Sequence, residues 1–152
     1  MLAFSRGISE YHIMTQIELA VFEDEDSVRQ LIRYALEDTP YTVVAEATTR
    51  QKALDIVTAM HAGELAIGAV LLDGNLDNKE NRLFSDAHAI YNHMHSLGRP
   101  EPVVGISGDR LAEHGIPIPR ELDVTKWCIV SQLVPALDSI FEPSNPLNSK
   151  TA

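Results

Sequence analysis

The chain has 152 residues, of which 45% are apolar and 22% charged, a composition typical of one soluble globular domain. Asp and Glu outnumber Lys and Arg by 22 to 12, and the formal charge of −10 argues against binding to nucleic acid or to an anionic membrane. A single cysteine excludes an intramolecular disulfide, and without a long apolar run or a secretory signal pattern we expect a cytoplasmic protein.

The first periodic part of the chain predicts a buried strand followed by an amphipathic helix. Ile17–Phe22 is an apolar run with one interruption, which is typical of a strand buried on both faces. We interpret Glu25 and Asp26 as acids that stabilise the positive N-terminal end of the helix. Ser27 and Gln30 have the spacing of a capping box, and apolar residues at helical spacing follow them.

The alternation of strand and helix continues along the chain. Four further strands are predicted over 41–47, 66–72, 102–106 and 122–125. Helical stripes are predicted over 53–60, 83–94 and 130–141, with a short helix over 109–114. We interpret 17–142 as the domain, 1–16 as an N-terminal extension and 143–152 as a disordered tail. Strands that alternate with helices predict an α/β fold, in which a parallel sheet has helices on both faces.

Polar side chains follow the predicted strands, at the edge of the sheet where ligands bind. They are Glu23 and Asp24 after the first strand, Asp73 after the third, Ser107 at the end of the fourth and Lys126 after the fifth. Three carboxylates that lie close together stay ionised only beside a positive charge. Mg²⁺ prefers oxygen ligands and accepts a phosphate oxygen among them. The sequence therefore predicts a magnesium site that is suited to a phosphoryl group.

These residues, in this order, resemble the phosphorylation site of response regulator receiver domains from two-component systems, in particular of stand-alone, chemotaxis-type receivers. The motifs that carry the resemblance are FEDEDSVRQL at 22–31, VLLDGNL at 70–76, VVGISGD at 103–109 and DVTKW at 123–127. The resemblance spans 17–142. It implies a doubly wound, flavodoxin-like sheet of five parallel strands in the order 2-1-3-4-5.

The resemblance also implies a role for each residue of the site. Asp73 is expected to accept a phosphoryl group from a sensor histidine kinase or a histidine phosphotransfer domain. Ser107 and Lys126 are expected to contact the phosphoryl oxygens. The implied Mg²⁺ ligands are Glu23, Asp24, Asp73 and the backbone carbonyl of Asn75. Such a domain is a phosphoprotein that catalyses its own phosphorylation and dephosphorylation, not an enzyme with another substrate, and we expect a monomer or weak dimer.

Variable positions around the implied site predict how the switch behaves. Residues two places after the acceptor and two after the hydroxyl flank the path of attacking water in receivers. Here these residues are Asn75 and Asp109, both short and polar, which favours a short-lived phosphoryl group. Asp123 stands where the family often has an aromatic switch residue, and Trp127 replaces the usual proline after the lysine. The output face of the family would here include Arg110, Asp123 and Trp127.

Two other functions fit parts of the pattern. A degenerate receiver would take no phosphoryl group and would act as a protein-interaction module, although the complete set of acids, hydroxyl and lysine argues against it. A phosphatase of the haloacid dehalogenase type would use an aspartyl phosphate, but such enzymes carry a DxDxT signature after the first strand. Here the candidate nucleophile follows the third strand, and DGN at 73–75 lacks the second acid.

Overall fold

The computed structural model describes residues 16–76 and 84–142. These residues contain five parallel strands and four α-helices. The strands are β1 (Ile17–Phe22), β2 (Tyr41–Ala47), β3 (Ala69–Leu72), β4 (Val103–Ser107) and β5 (Asp123–Thr125). The helices are α1 (Asp26–Ala35), α2 (Arg50–His61), α3 (Ser85–Ser96) and α4 (Ile129–Phe141). The strand order is β2-β1-β3-β4-β5, which confirms the predicted α/β fold.

The sheet is buried on both faces by helices. Successive residues of a strand point to opposite faces, so each face has its own core. Phe22 and Leu72 pack in the cluster that contains the apolar faces of α2 and α3, and Val21 and Leu71 pack in the cluster of α1 and α4. All four side chains are buried, which explains why the central strands are continuous apolar runs. None of the described helices has the length and hydropathy required to span a membrane.

The start of α1 differs from the prediction. The helix begins at Asp26, and Glu25 is its N-cap residue, with a backbone carbonyl that accepts hydrogen bonds from Val28 N and Arg29 N. The helix therefore starts before Ser27, and the predicted capping box does not form. Gln30 Nε2 instead donates to Asp26 Oδ2 at 2.7 Å. Of the predicted extension only Gln16 is described, and the predicted tail lies outside the described residues.

The connection between β4 and β5 contains two short 3₁₀ turns, Leu111–His114 and Arg120–Leu122, and no α-helix; the structure describes it in full. The first turn corresponds to the predicted short helix, in a tighter form. Gly115 follows it with a positive φ of 87°, and the prolines at 117 and 119 remove backbone donors that a longer helix would need. No α-helix therefore forms between β4 and β5, and an extended segment leads from the first turn to the second.

The carboxylate of Asp123 holds this segment on the sheet. Its Oδ1 accepts a hydrogen bond from Leu111 N and its Oδ2 accepts one from Ala112 N, both at 3.0 Å. A Cβ at Gly105 would lie 2.5 Å from Asp123 Oδ1, so glycine is what allows the carboxylate to approach β4. Asp123 is only 2% exposed, so its side chain is not part of the surface, in contrast to its predicted place on the output face.

We expect Asp123→Ala to destabilise the protein by about 2–4 kcal/mol, because two backbone amides lose a buried acceptor. Asp123→Asn should cost less, since its carbonyl oxygen can still accept one of the two bonds. Urea unfolding measures both values, with Glu121→Ala on the exposed side of the same segment as the control. A loss below about 0.5 kcal/mol for the alanine variant, the size usual for a surface substitution, would contradict this role.

Candidate functional site

The carboxyl ends of β1, β3, β4 and β5 meet at one open pocket. This is the edge of a parallel sheet at which ligands bind, because the chain leaves each strand there on its way to the next helix. The pocket has a volume of about 380 Å³. It is lined by Asp24, Glu25, Asp73, Asn75, Phe84, Ser107, Gly108, Asp109 and Lys126. The sequence-predicted site residues are thus brought together, with Glu23 directly behind this lining.

Three carboxyl groups form a cluster that fits a cation. Glu23, Asp24 and Asp73 each place one oxygen within 4.8 Å of the other two. Glu23 is fully buried and Asp73 is 4% exposed. The buried oxygens Glu23 Oε1 and Asn75 Oδ1 have no hydrogen-bond partner within the described part of the chain. Buried oxygens that lack a donor beside a group of carboxylates are what a hard cation would satisfy.

Burial and mutual repulsion keep protons on this cluster. Burial raises the pKa of Glu23 to about 8, and the negative charge of Asp73 adds to the effect. Burial also raises the pKa of Asp73, to about 6, although the Lys126 charge and a hydrogen bond from Gly74 N oppose the rise. That bond to Asp73 Oδ1 is 2.8 Å long. A cation would therefore displace protons from the site as it binds.

Lys126 lies beside two acids of this cluster and beside Glu25. Its Nζ is 2.6 Å from Glu25 Oε1 and 3.5 Å from both Glu23 Oε2 and Asp73 Oδ2. Burial lowers the pKa of Lys126, but the hydrogen bond to Glu25 and the charges of Asp73 and Glu23 outweigh it, and the pKa is raised above its ordinary value. The ammonium is thus held charged beside the Asp73 carboxylate. The peptide bonds of the described residues are trans, including the bond from Lys126 to Trp127.

The remaining predicted residues line the pocket from different sides. Ser107 is the last residue of β4, and it is buried where it lines the pocket. Asn75 is half-buried after β3. Asp109 is exposed after β4, and its Oδ2 lies 3.4 Å from His114 Nε2. Asn75 and Asp109 both line the pocket, and their predicted effect on attacking water stays a prediction.

Three residues of the pocket lining are not predicted from the sequence, namely Gly108 and the two whose side chains take part, Glu25 and Phe84. Glu25 was interpreted as a helix-terminal charge, but its carboxylate bonds to Lys126. Phe84 precedes α3 in a left-handed conformation, with φ 55°, and its ring packs so closely on Gly74 that a Cβ there would lie 2.6 Å from it. The same ring stacks on His114 at a centroid distance of 3.8 Å. The only sequence signal for this contact is the glycine that follows Asp73.

Comparison with known proteins identifies the fold. No family model matches the chain, and no curated protein sequence matches it. A response regulator receiver protein from Sinorhizobium medicae is 18% identical with a TM-score of 0.62, over 84% of this chain and 95% of its own. A LuxR-family two-component response regulator from Aurantimonas is also 18% identical, with a TM-score of 0.61, over 89% of this chain and 94% of its own.

A longer protein has a similar domain. The response regulator RcsB from Salmonella typhimurium is 14% identical with a TM-score of 0.63, and the match covers 90% of this chain but 67% of RcsB. The chain thus spans about two thirds of the RcsB length, and what RcsB does as a whole does not extend to it. Identities this low establish the fold alone, and that fold is the one of receiver domains.

Proposed function

We propose that this protein is a cytoplasmic receiver that acts as a phosphorylation-dependent switch in two-component signalling, with Asp73 as the phosphoacceptor. One observation carries the proposal. The fold is that of receivers, and the Asp73 carboxylate lies at the carboxyl edge of its sheet, 3.5 Å from Lys126 Nζ. Asp73 is also part of the carboxyl cluster and lines one pocket with Ser107. A protein-interaction module would not require this combination, and a haloacid dehalogenase-type enzyme would carry its nucleophile after the first strand, whereas Asp73 follows β3.

Glu23, Asp24, Asp73 and the backbone carbonyl of Asn75 would hold Mg²⁺. The donor set consists of oxygens, as this ion prefers, and the unpartnered Glu23 Oε1 is a further reason for the assignment. When bound, Mg²⁺ neutralises the negative charge on the transferring phosphoryl group. The protein itself then has to supply the nucleophile and the donors for the phosphoryl oxygens.

Asp73 supplies the nucleophile. One carboxylate oxygen attacks phosphorus in line, an O–P bond forms, and the bond from phosphorus to the donor's leaving group breaks. The leaving group takes the electron pair, and it takes up a proton where it is the imidazole of a phosphohistidine in a histidine kinase or phosphotransfer domain. Lys126 and Ser107 donate hydrogen bonds to the phosphoryl oxygens, which lowers the repulsion between two anions. In dephosphorylation, water attacks phosphorus and the bond from phosphorus to the Asp73 oxygen breaks. Its electron pair returns to the Asp73 carboxylate, and the protons of the water leave with inorganic phosphate.

Intact-mass spectrometry tests the proposal directly. The protein is incubated with acetyl phosphate and Mg²⁺, and we expect the mass of one phosphoryl group to be gained. Hydroxylamine, which cleaves acyl phosphates, should remove it. A protein that gains no mass under these conditions, although it is folded by circular dichroism, would contradict the assignment as a phosphoacceptor.

Substitutions beside the water path should lengthen the life of the phosphoryl group. We expect Asn75→Met and Asp109→Arg each to slow its loss by roughly tenfold, because a large apolar or cationic side chain obstructs or misdirects the attacking water. The measurement is the decay of phosphorylated protein in excess Mg²⁺ after the donor is removed. Asn92→Met and Glu113→Arg, at exposed positions, are the matched controls. An equal decay rate of the phosphorylated form in the wild-type protein and all four variants would contradict this explanation.

A further inference from the structure

The proposed function leaves the carboxylate of Glu25 without a role, although it makes the shortest contact of Lys126 with any of the three acids around it. We propose that Glu25 is a positioning residue that holds the Lys126 ammonium in the unphosphorylated protein and competes with the phosphoryl group for it. This inference rests on the proposed function, because it concerns how the same pocket receives a phosphoryl group. It adds a residue that neither the resemblance nor the carboxyl cluster assigns.

The distances around Lys126 separate one bonded partner from two electrostatic ones. The 2.6 Å contact from Nζ to Glu25 Oε1 is at the short end for a charge-assisted hydrogen bond. The 3.5 Å distances to Asp73 Oδ2 and Glu23 Oε2 are at the limit of hydrogen bonding. The ammonium is therefore hydrogen-bonded to Glu25, with Asp73 Oδ2 close by but not bonded to it.

The backbone places Glu25 for this contact. Its N donates to Glu23 Oε2 at 3.0 Å, and its carbonyl accepts the first bonds of α1. Its side chain makes no cap hydrogen bond, although Glu25 is the N-cap residue, and extends to Lys126 instead. Lys126 directly follows β5 and begins a 3₁₀ turn, so both ends of the contact are attached to regular structure.

The burial of the two carboxylates explains why the contact can be exchanged. The side chain of Glu25 is 49% exposed, whereas that of Asp73 is 5% exposed. An exposed ion pair is weak because water screens it, and a buried one is much less screened. A phosphoryl group on Asp73 places strong acceptor oxygens on the buried side of Lys126. The ammonium should then move from Glu25 to the phosphoryl group.

Removal of the competing carboxylate gives the first expected result. In saturating Mg²⁺, Glu25→Gln should be phosphorylated by acetyl phosphate about two- to fivefold faster than the wild-type protein, the upper part of the range expected for loss of one exposed ion pair. Asp26→Asn is the matched control, because it removes a carboxylate from the adjacent position. The Asp26 side chain is 72% exposed and bonds to Arg29 and Gln30, not to Lys126. Its rate should stay within about twofold of wild type.

Trp127 provides a second result that a general effect of charge would not produce. It is the single tryptophan of the chain, it directly follows Lys126, and it is 85% exposed. The phosphoryl mimic beryllofluoride, added with Mg²⁺, should change the Trp127 emission in the wild-type protein as Lys126 leaves Glu25. In Glu25→Gln the change should be at most about half as large, because an uncharged amide oxygen accepts only a weaker hydrogen bond from Lys126, whereas Asp26→Asn should behave as wild type.

The outcomes separate this inference from the function on which it rests. Faster phosphorylation of Glu25→Gln alone, with the reduced emission change, supports competition for Lys126. Equal acceleration in Glu25→Gln and Asp26→Asn would show an effect of total charge and would overturn it. An unchanged or slower rate in Glu25→Gln, with wild type phosphorylated, would also overturn it. A wild-type protein that takes no phosphoryl group would instead overturn the proposed function, and this inference with it.

Discussion

Asp73→Asn is expected to abolish phosphorylation by acetyl phosphate. The amide of asparagine is not a nucleophile towards phosphorus. The substitution keeps the shape of the side chain, and its carbonyl oxygen can still accept the hydrogen bond from Gly74 N. The fold should therefore survive. Because burial raises the pKa of Asp73, removal of its charge should leave the metal-free protein at least as stable as wild type at neutral pH.

The measurement is intact mass after incubation with donor and Mg²⁺, together with thermal unfolding of the same samples. Asp55→Asn, at an exposed position on α2, is the control and should be phosphorylated as wild type. If Asp73→Asn gained a phosphoryl group to the wild-type level, another residue would have to be the acceptor. Loss of phosphorylation together with unfolding would point to a structural role for the carboxylate, which its geometry does not predict.

The strands and the strand-end residues were predictable because both follow from local rules. A strand buried on two faces must be apolar along its length, and β1 and β3 show this directly in the sequence. Parallel strands place their carboxyl ends at one edge, so polar residues that follow several strands must meet there. Asp73 and Lys126, at the ends of β3 and β5, were found by this argument and lie 3.5 Å apart.

The contacts that were missed depend on partners far along the chain. Glu25 precedes a helix, where an acid needs no other explanation, and its bond to Lys126 joins residues 101 positions apart. Asp123 was visible only as a departure from the family pattern, and its two bonds to a 3₁₀ turn depend on a turn geometry that hydrophobic periodicity does not encode. Phe84 adopts a left-handed conformation, for which a phenylalanine gives no sequence signal.

Magnesium is expected to raise the melting temperature, and to raise it more at pH 8 than at pH 5.5. The folded metal-free protein binds a proton on Glu23 up to about pH 8, whereas the unfolded chain releases it near the ordinary pKa of 4.5. Between these values the folded state holds more protons than the unfolded state, so stability falls as the pH rises. Asp73 adds a similar loss between 3.8 and about 6.

A cation that binds the ionised cluster removes this loss, and it competes with protons at low pH. At about 100 times its Kd, a ligand that binds only the folded state adds about 2.7 kcal/mol, which is roughly 5–10 °C for a domain of this size. Thermal unfolding of chelator-treated protein with and without Mg²⁺, at the two pH values, measures the effect.

Asp24→Ala should lose most of the magnesium shift, since it removes a proposed ligand. Glu23→Gln should flatten the pH dependence of the stability of the metal-free protein. A magnesium shift of equal size in wild type and Asp24→Ala, or one that is larger at pH 5.5, would mean that the ion binds elsewhere.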